Sequence, residues 1–456
     1  MVSSRAVLRT DKTTSEKAAS AGAVSTRNDT REVDELHGKA VQTLVEWYQV
    51  KGRRLPWRET TNPYKIWLSE VMLQQTRVET VVPYYHAVVT QYPTIADLAH
   101  AADADLLKLW QGLGYYSRIR NLHQAAQTVL ERFAGQVPDN AMDFASLKGV
   151  GPYTVGAVMS IAFNQPVPAV DGNVTRVMAR VFAISEDVTR SSVRRFISQQ
   201  VSRWLQCQPP RLLTQALMEL GAVICKPRNP DCTQCPLAGI CESRAKGLAS
   251  CIPVRTPKVV RKQVQVVALL CQDGDRILLE RRPATGLLAS MWQFPAVEIQ
   301  GGDLASDEYG RVVDELLTRL HQPYSHQPSF QQPYSHQSSS LSSSATAAAT
   351  RWGTPSGTDN TVVLAADSTL NGDYPVADGF LVAERSVCNF RLVTRLEHQF
   401  THMDWHVTVL QPVGYDWGRI CETESRRWAD SKMLTHLALP RVYDKLIAAI
   451  QNPAGT

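Results

Sequence analysis

The sequence predicts two domains of different fold class, an all-α domain at 37–249 and an α+β domain at 263–456. Three observations support this division. Apolar residues recur at helical spacing from Gly38 to about Ala249, and no credible strand interrupts them. A stretch with two prolines and several basic residues, PVRTPKVVRK, then predicts a linker at 250–262. Beyond it the sequence becomes rich in β-branched runs typical of strands.

The individual elements follow from the same patterns. Two apolar stripes mark helices: Val41, Leu44, Val45 and Tyr48 in the first, and Val78, Val81, Val82, Tyr85, Val88 and Val89 in the second. In the second domain, QVQVVALLCQ and RILLERR flank Asp273-Gly274, which predicts a hairpin, and GFLVAERS and HVTVLQPV predict further strands. Residues 1–36 and about 321–357 are polar and of low complexity, so we expect a disordered tail and a disordered insertion.

Composition limits the class of protein. With 456 residues and 44% hydrophobic residues, the chain can bury more than one core. Its 48 Lys and Arg against 43 Asp and Glu give +5, which is compatible with nucleic-acid binding without establishing it. Nine cysteines, an odd number, favour a reducing intracellular compartment over a disulfide scaffold. No apolar run approaches the ~18 residues of a membrane span, so no membrane association is expected.

Four cysteines form a compact group, at Cys225, Cys232, Cys235 and Cys241. Four thiolates on one short loop can complete a coordination shell around one zinc ion or an iron–sulfur cube. The irregular gaps and Pro236 favour the cube, but spacing alone leaves the metal open. Unrelated buried thiols are a poor alternative, because the other five cysteines are scattered.

A glutamate interrupts the apolar run YKIWLSEVMLQQTR. On a helix, Glu70 has Ile66 and Trp67 on one side and Leu73 and Gln74 on the other, so its carboxyl lies on an apolar face. A buried carboxyl either finds a cationic partner or keeps its proton through a raised pKa. An ion pair with Arg58 or Arg77 is the structural alternative, and a general acid is the functional one.

The segment LKGVGPYTVGAV predicts two helices joined by a glycine hairpin. Gly149 and Gly151 allow backbone N–H groups to approach a phosphate, Pro152 suits the first helical position, and Lys148 adds positive charge. A generic turn between helices is the alternative. Glycine at both positions followed by proline favours binding of the DNA backbone.

A second carboxylate, Asp171, stands at a glycine-containing turn before a helix in PAVDGNVTRV. Asp171 could simply cap that helix. Asn173 is equally able to cap, which would leave Asp171 free for chemistry. One apolar and one polar carboxyl are the pair used in glycosidic cleavage, where one protonates the leaving group and the other supports the cationic sugar.

The motifs SEVMLQQTR, GLGYYSR, LKGVGPYT and VDGNV, followed by the cysteine group, resemble the adenine DNA glycosylases of the MutY type. These belong to the helix–hairpin–helix DNA glycosylase superfamily, and the resemblance covers about Leu36 to Lys246 and continues more loosely to the end. It implies a [4Fe-4S] cluster on the four cysteines. It also implies a monomer that acts on double-stranded DNA with adenine opposite 8-oxoguanine or guanine, and it assigns no protein partner.

The resemblance also implies residue roles. Glu70 would protonate adenine, Asp171 would stabilise the sugar cation or its covalent adduct, and Tyr153 and Asn173 would orient them. The target base must leave the helical stack to reach these groups. The adenine pocket would use Trp57, Arg58 and Leu73, and the DNA contacts around the opposite base would use Gln74, Gln75, Thr76, Leu113 and Tyr115. GLGYY is too rich in glycine for a helix stripe, so we expect Leu113 and Tyr115 outside the core.

Three further features refine the implied activity. Thymine-glycol glycosylase/lyases carry a Schiff-base lysine where this chain has Tyr153, so a monofunctional hydrolase is expected. The second domain resembles the Nudix-like domain of the family but lacks the glutamate-rich box that holds magnesium, so nucleotide hydrolysis is not expected. Phe400, Thr401 and His402 match the family's Phe-Ser-His loop, which probes the lesion strand.

Three other functions remain open from sequence. The chain could be a non-catalytic binder of damaged DNA, although it keeps Glu70 and Asp171. It could be a thymine-glycol-type glycosylase/lyase, which Tyr153 disfavours. It could also be a ferredoxin-type electron carrier, which has no need of a carboxylate pocket or a base-wedging loop.

Overall fold

The computed structural model describes residues 35–256, 261–301, 304–322, 361–364, 380–381, 389–400 and 402–451. The chain divides into two compact units, one of Met1–Ala101 with Arg120–Pro257 and the other of Ala102–Ile119 with Lys258–Thr456. The predicted tail, apart from residues 35 and 36, lies outside the described residues, as does nearly all of the predicted insertion at 321–357. Residues 35 and 36 are helical, so the tail is shorter than expected at its C-terminal end.

The chain from residue 35 to 249 is helical in its regular structure, and no strand occurs among its described residues. The helices are α1 (35–51), α2 (Pro63–Leu73), α3 (Val78–Gln91), α4 (Ile95–His100), α5 (Asp103–Leu109), α6 (Ser117–Arg132), α7 (Ala141–Ala145), α8 (Pro152–Ile161), α9 (Gly172–Val181), α10 (Ser191–Trp204), α11 (Pro210–Val223) and α12 (Glu242–Ala245). A single β-bridge joins Asp187 to Val254. The predicted all-α class is confirmed for this part of the chain.

Local signals explain where these helices begin. Asn62 caps α2 by accepting a hydrogen bond from the Lys65 backbone N–H at 3.1 Å, and Pro63 occupies the first helical position. Thr94 and Asp97 form a reciprocal capping box at α4. The apolar stripe of α1 is buried at Val41, Leu44 and Val45, and packs with α9, α10 and α11 in one core.

The second unit is an α+β structure, as predicted. Its strands are β1 (Lys262–Leu269), β2 (Gln272–Asp273), β3 (Arg276–Arg281), β4 (Trp292–Gln293), β5 (Ala296–Gln300), β6 (Thr361–Leu364), β7 (Phe380–Leu381), β8 (Asn389–Gln399), β9 (Met403–Val413) and β10 (Arg426–Ala429). Its later helices are α13 (Ser306–His321), α14 (Ser431–Leu434) and α15 (Arg441–Gln451). One sheet has the order β5-β1-β9-β8-β6, with β7 also on β8, and a second sheet has the order β10-β3-β2, with β4 on β3.

Strand β1 is an interior strand of the larger sheet, between β5 and β9. It pairs antiparallel with β5 and parallel with β9, and alternate residues enter two cores. Val264, Val266 and Ala268 join a core with α15, whereas Val267 and Leu269 join a core with α13. The strand is therefore buried on both faces, which explains its continuous apolar sequence.

The predicted hairpin at Asp273-Gly274 is only partly right. β2 and β3 do form a tight antiparallel hairpin there, with Asp273 opposite Arg276 and Gly274 at a φ of 60°. The long run before it, however, belongs to β1 in the other sheet and does not pair with β3. Burial on two faces, rather than the turn signal, determines the partners of β1.

Two domain boundaries also differ from the prediction. Residues 102–119 belong to the second unit, where the Lys108 ammonium donates to the Leu437 carbonyl at 3.1 Å. The first half of the predicted linker is bound to the helical unit, because Thr256 hydrogen-bonds Asp187 and the Ile252 carbonyl accepts from Arg180 at 2.8 Å. In the described part of the chain, no helix is both long and apolar enough to cross a lipid bilayer.

Candidate active site and cluster loop

Glu70 is the buried acid of the site. It lies on α2 among apolar side chains and is 5% exposed. Its pKa is raised from 4.5 to about 7, mainly by burial and also by the nearby Asp171, whereas the Tyr153 hydrogen bond and the Arg58 charge act in the opposite direction. Near neutral pH this carboxyl can therefore either hold or release a proton, as a general acid requires.

Tyr153 connects Glu70 to the helical hairpin. It is the second residue of α8, and its hydroxyl donates a short hydrogen bond to Glu70 Oε2. Burial raises the pKa of Tyr153 well above 10, and the charges of Glu70 and Asp171 raise it further. Tyr153 therefore stays a neutral donor that holds the Glu70 carboxyl in one orientation.

Asp171 does cap α9, so the expectation that Asn173 would cap in its place is wrong. Asp171 Oδ1 accepts from the Val174 N–H at 2.7 Å, and Asp171 Oδ2 accepts from Asn173 Nδ2 at 2.9 Å. An N-cap must stand one residue before the helix, and α9 begins at Gly172. Capping does not remove the carboxylate from the site, because it still acts on both Glu70 and Tyr153.

Burial raises the pKa of Asp171, while the Val174 N–H and the Asn173 amide lower it. Its two oxygens are thus fixed in place by neutral donors, and the guanidinium of Arg176 acts on the carboxylate through its charge without a hydrogen bond to it. A fixed carboxylate can stabilise positive charge that develops nearby. Asp171 stands at a turn, as expected, but burial raises its pKa as it does that of Glu70, so the two environments differ less than the sequence predicted.

Arg176 extends this network to the cysteine loop. Arg176 Nη2 donates to Asn173 Oδ1 at 2.8 Å and to the Gly221 carbonyl at 2.7 Å, and its Nε donates to the Cys225 carbonyl at 2.8 Å. One buried guanidinium therefore fixes both the amide that orients Asp171 and the backbone of the first cysteine. Sequence reasoning missed Arg176, although an arginine within the apolar segment NVTRVMARV was a visible signal.

The four cysteines come together, each partly buried. Burial raises the pKa of Cys235 to about 12, with further contributions from Cys225, Cys241 and Cys232. Thiols in this setting become thiolates when a bound metal supplies positive charge. Nowhere in the described ranges do three His, Cys, Asp or Glu side chains come close enough to hold one metal ion. The four thiols nevertheless lie near enough for their charges to raise one another's pKa, as expected of ligands that share one cluster.

Arg180 also hydrogen-bonds the cysteine loop and is 2% exposed. Its Nη1 donates to Cys225 Sγ at 3.3 Å and to the Lys226 carbonyl at 2.7 Å, and its own carbonyl accepts from Cys241 Sγ at 3.5 Å. A cation that donates to a ligand sulfur stabilises the thiolate form. Arg180 was not singled out from the sequence.

Arg58 does not form the ion pair with Glu70 that was considered as the alternative. Its Nη2 donates to Glu219 Oε2 at 2.8 Å, and Arg53 binds the same carboxylate through Nε at 2.8 Å and Nη2 at 2.9 Å. Glu219 is 1% exposed and lies on α11. Like Glu70, Glu219 is an acid in an apolar helical run, so the reasoning applied to Glu70 could have found it.

The hairpin between α7 and α8 has the features of an anion site. Gly149 has a φ of 76°, and a Cβ there would lie 2.6 Å from Asn121 Cβ, so only glycine fits. Gly151 caps α8 and has no atom near its Cβ position, which leaves open space at the free N–H groups of the helix. Lys148 is exposed beside them. An incoming phosphate would meet backbone donors, a helix N-terminus and a cation.

The remaining residues expected to contact substrate have different exposures. Trp57 is buried, with its ring centroid 5.3 Å from that of Tyr85. Leu73, Gln74 and Thr76 are partly buried at the end of α2, and Gln75 is exposed with a φ of 59°. This end of α2 presents polar side chains in a fixed, left-handed turn.

Leu113 and Tyr115 of the GLGYY loop were both expected outside the core, and only one of them is exposed. Tyr115 is 45% exposed, whereas Leu113 is 5% exposed and belongs to the core. The expectation for Leu113 is wrong because Gly112 and Gly114, both with positive φ, turn the chain on either side and direct the leucine inwards.

In the second unit, the loop between β8 and β9 begins at Phe400, whose backbone N–H donates to the Met403 carbonyl at 2.8 Å. The Phe400 ring lies 4.7 Å from His398 and 5.0 Å from the fully buried Trp405. His402 is exposed, and Thr401 lies outside the described residues. An aromatic base thus supports a short loop with an exposed imidazole.

Comparison with known proteins agrees with this geometry. The family model described as HhH-GPD superfamily base excision DNA repair protein matches residues 68–203, and the iron-sulfur binding domain of endonuclease III matches 225–241. An adenine DNA glycosylase of Rattus norvegicus is 37% identical over 57% of this chain and 60% of its own length. An adenine DNA glycosylase of Homo sapiens is 36% identical over 59% of this chain and 58% of its own length. One from Buchnera aphidicola is 34% identical over 56% of this chain and 72% of its own length.

The helical hairpin, the paired carboxyls and the cysteine loop define a helix–hairpin–helix base-excision protein with a [4Fe-4S] cluster. Within that class, the chain belongs to the adenine DNA glycosylase family. It spans about three fifths of the length of the rat and human relatives.

Proposed function

We propose that this protein is a base-excision-repair enzyme that hydrolyses the N-glycosidic bond of adenine mispaired with 8-oxoguanine or guanine in duplex DNA. The observation that carries the proposal is the buried Glu70, with a pKa of about 7, hydrogen-bonded to Tyr153 and within electrostatic range of Asp171. The hairpin donors at Gly149 and Gly151 lie in the same helical unit. Family membership supports adenine as the base that is removed.

The chemistry follows from the two carboxyls. Protonated Glu70 donates its proton to a ring nitrogen of the everted adenine, so that the bonding pair of the C1′–N9 bond leaves with a neutral base. The deoxyribose becomes an oxocarbenium ion, and the fixed Asp171 carboxylate stabilises it or forms a transient adduct at C1′. A water molecule then adds to C1′, and the Glu70 carboxylate accepts its proton. The products are free adenine and an abasic site.

Tyr153 and Asn173 orient the two acids. Tyr153 donates to Glu70, and Asn173 donates to Asp171 Oδ2, so neither carboxyl can turn away from the sugar. Tyr153 also stands where related lyases carry a nucleophilic lysine. A phenol cannot form an imine with C1′, which supports a monofunctional hydrolase over a glycosylase/lyase.

The target adenine must leave the stack to enter the site. We assign Trp57, Arg58 and Leu73 to the pocket for the everted base, and the hairpin residues Lys148, Gly149 and Gly151 to the DNA backbone. We assign the turn after α2 to the base opposite the target. Gln74, Gln75 and Thr76 supply polar groups for that purpose. The exposed Tyr115, which belongs to the other unit, is assigned separately to contact with the base stack.

The four cysteines Cys225, Cys232, Cys235 and Cys241 would hold the [4Fe-4S] cluster. When bound, the cluster supplies a rigid centre on which the 225–241 loop folds. Arg176 and Arg180 then fix the loop to α9, and Lys226 and Arg228 add positive charge on its outer side. The loop thereby supports the position of Asp171 and the attraction of a phosphate backbone.

The second unit is proposed as a Nudix-like domain that probes the lesion strand through Phe400, Thr401 and His402. The aromatic support beneath Phe400 and the exposure of His402 favour a loop built to contact a partner. The protein would act as a monomer in a reducing compartment, which is the cytoplasm or nucleoid of a bacterium or the nucleus or mitochondrion of a eukaryote.

An excision assay tests this proposal. Duplexes with adenine opposite 8-oxoguanine, guanine or thymine are incubated with excess protein, and strand cleavage is scored with and without alkali. We expect alkali-dependent cleavage, fastest opposite 8-oxoguanine, and no trapping by borohydride. Binding without any excision would instead identify a non-catalytic binder, and efficient borohydride trapping would identify a lyase.

A further inference from the structure

The loop from Trp110 to Tyr116 is held in an unusual backbone conformation. Gly112 and Gly114 have φ values of 95° and 72°, and Tyr115 has a φ of 49°, in the left-handed region that a bulky residue rarely adopts. Tyr115 is nevertheless 45% exposed, whereas its neighbours Leu113 and Tyr116 are buried. A strained position that exposes one aromatic ring requires surrounding contacts that hold it.

Arg118 supplies three of those contacts. It is 7% exposed, and its Nη2 donates to the Leu113 carbonyl at 3.2 Å and to the Gly114 carbonyl at 3.0 Å. Its backbone N–H donates to the Tyr115 carbonyl at 2.9 Å. Three consecutive carbonyls of the loop are therefore bound by a single residue at the start of α6.

The guanidinium of Arg118 also lies between two aromatic rings. Its Cζ is 5.3 Å from the centroid of Tyr115 and 5.5 Å from that of Trp110. Trp110 contributes a separate anchor, because its Nε1 donates to the Gly114 carbonyl at 3.0 Å. Burial lowers the pKa of Arg118 to about 10, which leaves it a cation at neutral pH. A planar guanidinium can stack and donate at the same time, and a lysine ammonium cannot.

We infer that Arg118 is the positioning residue that fixes the exposed Tyr115 ring for insertion beside the DNA base stack. This inference rests on the proposed function, because it assigns the ring to the duplex. Arg118 itself does not touch the DNA and acts only through the loop. A preset ring needs no ordering when DNA binds, so its stacking contributes fully to affinity.

The test measures binding of a duplex with adenine opposite 8-oxoguanine by Arg118→Lys, Tyr115→Ala and the double variant. Stacking of one base on an aromatic ring accounts for roughly tenfold or more in affinity. We therefore expect about tenfold weaker binding for each single variant, and a double variant within about twofold of Tyr115→Ala. Single-turnover excision is measured at protein concentrations that saturate each variant, so that a loss of affinity is separated from a loss of the chemical step.

Arg132→Lys is the matched control, because Arg132 lies on the same helix α6, is exposed, and also stacks on an aromatic ring, at 5.3 Å from Phe133. It should bind DNA as the wild type does. Melting temperature and cluster absorbance verify that each variant is folded. If Arg118→Lys does not fold, Trp110→Phe removes the other anchor on the Gly114 carbonyl and should weaken binding several-fold.

The outcomes separate the inference from the proposed function. If Tyr115→Ala weakens binding but the folded Arg118→Lys (or Trp110→Phe in its place) does not, the positioning role is refuted and the proposed function stands. Independent, multiplicative losses in the double variant also refute it, because Arg118 would then act apart from Tyr115. If Tyr115→Ala binds as the wild type does, the contact between loop and duplex is refuted, and the role of Arg118 with it.

Discussion

The substitution Glu70→Gln tests whether the pKa of the buried acid is raised in the folded protein. A glutamine keeps the shape of the side chain and an oxygen that can accept from Tyr153, but it has no charge to bury. The pKa of Glu70 rises from 4.5 in the unfolded chain to about 7 in the folded protein. At 1.36 kcal/mol per pKa unit, the ionised Glu70 destabilises the fold by about 3 kcal/mol.

The sign of the pH dependence follows from this difference. Between pH 4.5 and 7 the folded protein binds a proton on Glu70 that the unfolded chain releases, so stability falls as pH rises through this range. Above about pH 7 the whole penalty is present. Relative to the wild type, Glu70→Gln should therefore gain stability between pH 5 and pH 8 by up to about 3 kcal/mol.

The assay compares melting temperatures of the wild type and Glu70→Gln at pH 5 and pH 8. Glu131→Gln is the matched control, because Glu131 is an exposed glutamate on α6. We expect the melting temperature of Glu70→Gln minus that of the wild type to be several degrees larger at pH 8 than at pH 5. For the control, this difference should be the same at both pH values. A difference that stays constant with pH would refute the reasoning, because Glu70 would then have an ordinary pKa.

Three further predictions concern the groups around Glu70. Asp171→Asn keeps an oxygen for the cap of α9 but removes the negative charge, so excision should slow by about a hundredfold or more while duplex binding persists; unchanged excision would remove Asp171 from the mechanism. Arg176→Met releases Asn173 and the Cys225 carbonyl, so we expect excision to slow by about tenfold and cluster absorbance to be lost at a lower temperature. The control Arg203→Gln changes an exposed arginine and should show neither effect. Lys148→Ala should reduce the slope of log affinity against log salt by about 0.9, and an unchanged slope would mean that Lys148 contacts no phosphate.

Sequence reasoning singled out candidate residues where one residue breaks a strong pattern. Glu70 in an apolar run, the Gly149 and Gly151 pair, and the four cysteines were each visible in this way. It failed where a role depends on packing between distant segments. Asp171 caps its own helix because α9 begins at Gly172 rather than later, and Leu113 turns inwards because two glycines bend the chain around it. Neither fact can be read from residue type.

The same limit explains the partners that were misassigned or missed. Arg58 binds Glu219, which is 161 residues away, rather than the nearer Glu70. Arg176 and Arg180 connect α9 to a loop some 50 residues later. Strand β1 pairs with β9, more than a hundred residues downstream, instead of with the strand after the next turn. Local propensity carries no information about such contacts, whereas burial of a charged or fully apolar segment indicates that one must exist.

Single-turnover excision by the wild type and Glu70→Gln, on a duplex with adenine opposite 8-oxoguanine, decides whether Glu70 is the acid that releases the base. The wild type should release free adenine and leave an intact strand that breaks only in alkali, with a rate that declines above about pH 7 as Glu70 loses its proton. Glu70→Gln should bind the same duplex and release no adenine. Adenine release by Glu70→Gln at the wild-type rate would contradict the claim that this buried carboxyl is the acid.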